Sequence, residues 1–249
     1  MELRIHSKPE MVKPRMLVGL PGMGMVAKNT VNYFINILKP ELFADIPVPH
    51  LSPSLTFFEK GLVVPIDRDT SPFKFYYSKE QNIILFSGDI QFGYIAKDNE
   101  LAEKIVQSAK LLGVDIIYTV LANFVKNYVE EPAVYGVATS PELLKFISSK
   151  EIPIAEGRMQ ISGVNGLVIE YAMRHGINGI SLLSETAFPE ALDIKACYAG
   201  IKKVSELLEI NIDTSEIENE VKKFDECFKR YMKELQEKRR KEQDLGYIG

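Results

Sequence analysis

Residues 16–38 read MLVGLPGMGMVAKNTVNYFINIL, and this stretch decides the fold class. Met16 to Leu20 is a compact apolar run, Pro21-Gly22 closes it, and Val26 to Leu38 then carries apolar residues at helical spacing until Lys39-Pro40. A strand, a tight glycine turn and a helix are predicted. The same rhythm recurs along the chain. Strands are expected at Leu62 to Ile66, Phe73 to Tyr77, Ile83 to Phe86, Ile116 to Ala122, Val134 to Ala138 and Gly179 to Leu183. Their unbroken apolar character implies burial on both faces. Helices are expected at Ala96 to Leu112, Pro141 to Ser149 with Ser140 as N-cap, Gly166 to Arg174, and Pro189 to Leu208. Strands alternating with helices predict an α/β fold, a three-layer sandwich around a largely parallel or mixed sheet. The prolines at 47, 49, 53, 65 and 72 interrupt this order and predict a hairpin or irregular excursion from the sheet.

Thr214 to Asp244 contains neither proline nor glycine and is rich in Glu and Lys, so one long helix of about 40 Å is expected. Its apolar positions, Ile217, Val221, Phe224, Phe228, Tyr231 and Leu235, are spaced 4-3-4-3-4, the seam of a coiled coil. That seam packs on the chain's own body or on a second subunit, and spacing alone leaves both open. Residues 1–213 are therefore read as an α/β domain and 214–249 as an amphipathic helix with a short tail. The run Lys238 to Lys241 is basic, but acidic residues balance it along the helix, which describes a solvated face better than a nucleic-acid contact.

Composition excludes several classes. The 249 residues carry a net charge of −4, which gives no positive field for nucleic acid or an anionic membrane. No apolar stretch approaches the roughly 20 residues of a membrane span, and the opening residues lack the apolar core of a secretory signal, so a cytoplasmic protein is expected. Cys197 and Cys227 fit neither a disulfide framework nor a zinc pattern. His6, His50 and His175 lack metal-ligand spacing, and no nucleophile elbow is present. Asp67, Asp69, Glu130 and Glu131 adjoin turn formers and read as turn or surface carboxylates. No catalytic residue, metal or cofactor is expected.

The turn itself spells Gly22-x-Gly24-x-x-Ala27, a dinucleotide-type fingerprint that would bring backbone N–H groups to a pyrophosphate. Glu41 and Asp45, about 20 residues on, lie among prolines and make poor ribose ligands; Met25-Val26 replace the Lys and Ser/Thr of a P-loop. Close packing of helix on sheet explains the glycines more simply. A second glycine turn, Ser162-Gly163-Val164-Asn165-Gly166, also precedes a helix. Asp89 and Glu185 follow strands, at the carboxyl ends where open α/β sheets bind ligands. Gly22, Gly24, Asp89, Gly163 and Glu185 are thus candidates for a vestigial ligand pocket.

Taken in order, Gly-x-Pro-Gly-x-Gly at 19–24, Gly88-Asp89-Ile90-Gln91, Gly157-Arg158-Met159-Gln160 through Gly166-Leu167, and Leu182-Leu183-Ser184-Glu185-Thr186 with Pro189, Asp193 and Ala196 resemble the proteasome assembly chaperone family. The resemblance covers most of residues 15–213. It implies a nucleoside-phosphorylase-type sandwich that has become a non-enzymatic scaffold, homo-oligomeric, with the proteasome core particle α-ring or a related chaperone-like protein as partner. Many members end in a hydrophobic-Tyr-any tripeptide whose carboxylate docks between α subunits. Here Tyr247 is third from the end, before Ile248, so the ring is displaced by about 3.3 Å along an extended tail. The expected contact residues are the helical seam together with Tyr247 and Ile248. The competing expectation is a nucleoside phosphorylase or hydrolase that uses the glycine turns for phosphate. A dinucleotide-binding module is a third.

Overall fold

A computed structural model describes residues 1–48, 57–64 and 71–245. In chain order the strands are β1 (Arg4–Ile5), β2 (Arg15–Gly19), β3 (Glu41–Ile46), β4 (Phe57–Glu59), β5 (Leu62–Val64), β6 (Phe73–Ser78), β7 (Ile83–Gly88), β8 (Ile116–Phe124), β9 (Val134–Ala138) and β10 (Asn178–Thr186). The helices are α1 (Val26–Leu38), α2 (Ile95–Leu111), α3 (Pro141–Ser149), α4 (Val164–Arg174), α5 (Ile194–Leu208) and α6 (Ser215–Leu245). Two compact units result, Met1–Ile212 and Asp213–Gly249.

Eight strands form one mixed sheet in the order β1-β3-β6-β7-β2-β8-β10-β9. The central four, β7, β2, β8 and β10, run parallel, and antiparallel strands flank them on both sides. Alternate residues of β2 serve opposite faces. Met16 and Val18 join Ile84, Phe86 and Ile117 in a cluster with Leu101 and Ile105 of α2 and Val168 of α4. On the other face α1 lies so close to β2 that a Cβ at Gly19 would stand 2.3 Å from the Ala27 carbonyl oxygen. Helices therefore cover both faces, and the parallel strands are buried along most of their length, with exposure confined to their ends.

Some boundaries differ from expectation. The helix expected from Pro189 starts at Ile194, because Asp193 caps it through the Ala196 N–H and residues 189–191 form a turn. Three strands were not anticipated: the two-residue β1; β3, whose register shifts between Leu42 and Ala44; and β4. The proline-rich stretch contains the hairpin β4-β5, and the rest of it, residues 49–56 and 65–70, lies outside the described residues. The part of the expected 62–66 strand beyond Val64 falls there too, as does His50.

Candidate functional site

The glycine turn after β2 lies between strands whose following helices go to opposite faces, α1 after β2 and α2 after β7, the switch-point geometry at which open sheets bind ligands. Two carboxamides hold this region together. Leu20 N–H donates to Asn165 Oδ1 at 3.0 Å and Asn165 Nδ2 donates to the Leu20 carbonyl at 3.0 Å, so one side chain pairs with Leu20 as a neighbouring strand would. Gln91, on the loop leaving β7, donates to the Pro21 carbonyl and accepts the Val164 N–H at 2.9 Å. It thereby caps α4, whose N-cap, Gly163, has no side chain to do so. The two glycine turns that were separate in the sequence form one cross-linked unit.

Gly24 has φ +60°, the left-handed region that favours glycine. Its N–H donates to the Pro189 carbonyl at 3.1 Å, and its carbonyl accepts the Asp193 N–H at 3.1 Å. Met25 N–H donates to the Gly22 carbonyl and Val26 N–H to the Met23 carbonyl. These N–H groups, which a pyrophosphate would need, are engaged within the protein. The fingerprint is a packing turn in its geometry. Asp193 is buried; besides capping α5 it accepts the Thr186 hydroxyl at 2.7 Å. Cys197, one turn further along α5, is buried, and burial first, then the Asp193 charge, push its thiol up to about 12. It has no nucleophilic character at neutral pH.

Beside this unit, over the carboxyl ends of β8 and β10, is a cavity of about 450 Å³. Gly22 and Gly163 line it, with Gln91 and Asn165. Asn123, Gln160 and Ser162 add polar groups; Met23, Leu121, Phe124, Met159, Ile161 and Leu183 add apolar ones. No ionisable side chain is among the described residues that line it. Of the anticipated set, Gly24, Asp89 and Glu185 lie outside this lining. Asp89 is held by the Lys28 ammonium at 2.7 Å, which also donates to Ser87 Oγ at 2.9 Å. Glu185 accepts the Ala133 N–H at 3.1 Å and the Tyr135 hydroxyl at 3.4 Å, so it ties the start of β9 to β10. Its charge, ahead of burial, raises the Tyr135 phenol pKa. Gln160 and Ser162 belong to the motif around the second glycine turn, whereas Asn123 carried no local signal that singled it out.

The six seam residues all lie on α6. Phe224 and Phe228 stack at 5.7 Å between ring centroids with 14° between planes, and Tyr231 is 57% exposed. Tyr247 and Ile248 lie outside the described residues. Among the described residues no helix is long and apolar enough to cross a membrane, and no three His, Cys, Asp or Glu side chains converge as a metal site would require.

Comparison with known proteins gives a consistent result. An uncharacterized protein of Methanocaldococcus jannaschii is 29% identical over 242 residues, covering 94% of this chain and 92% of that protein. The crystal structure of Pyrococcus furiosus PbaB, an archaeal proteasome activator, superposes with a TM-score of 0.78 at 25% identity, over 92% of this chain and 98% of that one. Pyrococcus furiosus PbaA, an archaeal homolog of proteasome-assembly chaperone, shares the fold with a TM-score of 0.74 at 23% identity, over 96% and 99% of the two chains. The model of the PAC2 family matches residues 16–232, a span that runs from the first strand of the glycine turn well into α6, and the chain belongs to that family.

Proposed function

We propose that this chain is a non-catalytic, cytoplasmic scaffold that homo-oligomerises and binds a proteasome-related partner, the core particle α subunits or a related chaperone-like protein. The observation that carries this reading is the near full-length likeness to PbaB, a proteasome activator, at 25% identity. The glycine-turn site supports it. The N–H groups of Gly24, Met25 and Val26 are engaged internally, and no acid, base or cation is among the described residues that line the cavity, so the site lends the phosphorylase or hydrolase reading no support. In this reading the α/β body is residues 1–213 and the helix with its tail, 214–249, is the contact element. Ile217, Val221, Phe224, Phe228, Tyr231 and Leu235 form the seam, and Tyr247 and Ile248 the tail. Exposed aromatic residues such as Tyr231 are the side chains that dominate interfaces once buried.

Light scattering behind size-exclusion chromatography tests it, on the full chain and on a Phe224→Glu, Phe228→Glu double variant, each alone and with archaeal proteasome core particle. The expected result is an oligomer that comigrates with the core particle, and a variant that runs near 28.1 kDa with its far-UV spectrum intact. A full-length monomer that leaves the core particle unshifted overturns the reading. A variant that keeps the native mass removes the seam from it.

A further inference from the structure

The cavity beside the glycine turns has the construction of a binding site, and no ionisable side chain is among the described residues that line it. It lies at the carboxyl ends of parallel strands next to the switch point, and its volume of about 450 Å³ falls within the range of about 300–1,000 Å³ typical of small-molecule sites. Its polar groups divide into two sets. Gln91 and Asn165 are engaged with Pro21, Val164 and Leu20. The side chains of Asn123, Gln160 and Ser162 make no hydrogen bond among the described residues, and Asn123 is partly withdrawn from water. Each carboxamide offers a donor beside an acceptor, the complement of an amide edge, and the hydroxyl adds either sense. Phe124 and Met159 supply a flat ring and a thioether for stacking against a planar group.

What is missing is equally directive. What would offset an anion's charge is a cation, and no Lys, Arg or His is among the described residues that line the cavity, so an anion would give up hydration without a countercharge. We propose that this cavity binds an uncharged planar cyclic amide, a nucleobase or its neutral nucleoside, and rejects the phosphorylated form. Asn123 and Gln160 read the amide edge, and Phe124 stacks on the ring. The proposal is independent of proteasome binding and requires no turnover.

Saturation-transfer NMR and calorimetric titration of the full chain with uracil, hypoxanthine and uridine test it, with uridine 5′-monophosphate and inorganic phosphate as charged counterparts. The expected result is saturable binding of at least one neutral probe, with a Kd below about 1 mM. Asn123→Leu is expected to weaken it about tenfold or more, with the thermal midpoint unchanged. Gln160→Leu, on an exposed loop, repeats the test should the strand variant be unstable. Binding of uracil and hypoxanthine without uridine assigns the site to free bases. No saturation by any neutral probe up to about 5 mM overturns the proposal, a limit corresponding to a binding energy weaker than about 3 kcal/mol. So does monophosphate binding as tight as uridine binding, or undiminished affinity in a folded Asn123→Leu or Gln160→Leu variant.

Discussion

Replacing Asn165 by Leu removes both hydrogen bonds to Leu20 while conserving approximate volume. Asn165 is 4% exposed and Leu20 fully buried, so water does not replace the lost partners in the native state. Each unsatisfied backbone group costs about 1–3 kcal/mol, and two of them bring the expected loss to about 2–6 kcal/mol. Urea denaturation followed by far-UV circular dichroism measures this as a fall in the transition midpoint at constant slope. Asn165→Asp sharpens the test. The carboxylate still accepts the Leu20 N–H but sets a second acceptor against the Leu20 carbonyl, whereas the protonated acid donates to it as the amide does. Burial and that carbonyl both disfavour the charged form, so the folded-state pKa of the new group rises above its unfolded value near 3.9. Its stabilising contribution is then fully present below about pH 4 and is lost as pH rises through the folded pKa. A loss below about 1 kcal/mol for Asn165→Leu, or an Asp variant without this pH dependence, would refute the strand-mimic role of the amide.

Gly24→Ala is expected to lose about 1–2 kcal/mol, seen as a lower thermal midpoint, because φ is +60° and the new Cβ would stand 3.0 Å from Thr186 Oγ1. Asp193→Ala removes the cap of α5 and the partner of the Thr186 hydroxyl, a loss of about 2–3 kcal/mol by urea titration. Native alkylation at pH 8 followed by mass spectrometry is expected to label Cys227, which is exposed, and to spare Cys197, whose thiolate forms only near pH 12. Two labels on the native protein would contradict the burial of Cys197.

Local chemistry explains what the sequence made legible. The helix Val26–Leu38 follows a glycine turn and ends at Lys39-Pro40, and α3 begins with a Ser-Pro cap, so both are readable within a few residues. Strand β3 is different: Glu41 and Asp45 obscure its apolar pattern, and it pairs with β6, whose partner residues are 27 to 36 positions away. Pro189 drew the start of α5 too early, although Asp193 ahead of the periodic residues was a cap signal. The site follows the same division. Both glycine turns were visible as turns, but Gln91 bonds across 70 positions and Asn165 across 145, and no window along the chain contains both ends of such a contact. Asp89 and Glu185 were singled out by their place after strands. Their partners, Lys28 and the Ala133 N–H, are the nonlocal facts that make them structural.

The Leu20–Asn165 clasp also bears on the order in which the molecule is made. Leu20 leaves the ribosome long before Asn165 is synthesised, and its peptide group must wait for that residue, as Gly24 must wait for Pro189 and Asp193. Closing so long a loop carries an entropic penalty that contacts formed earlier along the chain do not meet. The first βα unit therefore remains without its final partners until synthesis has passed Asp193. Chains interrupted before that point present the Leu20 and Gly24 peptides unpaired, a form that proteolysis distinguishes from the finished protein.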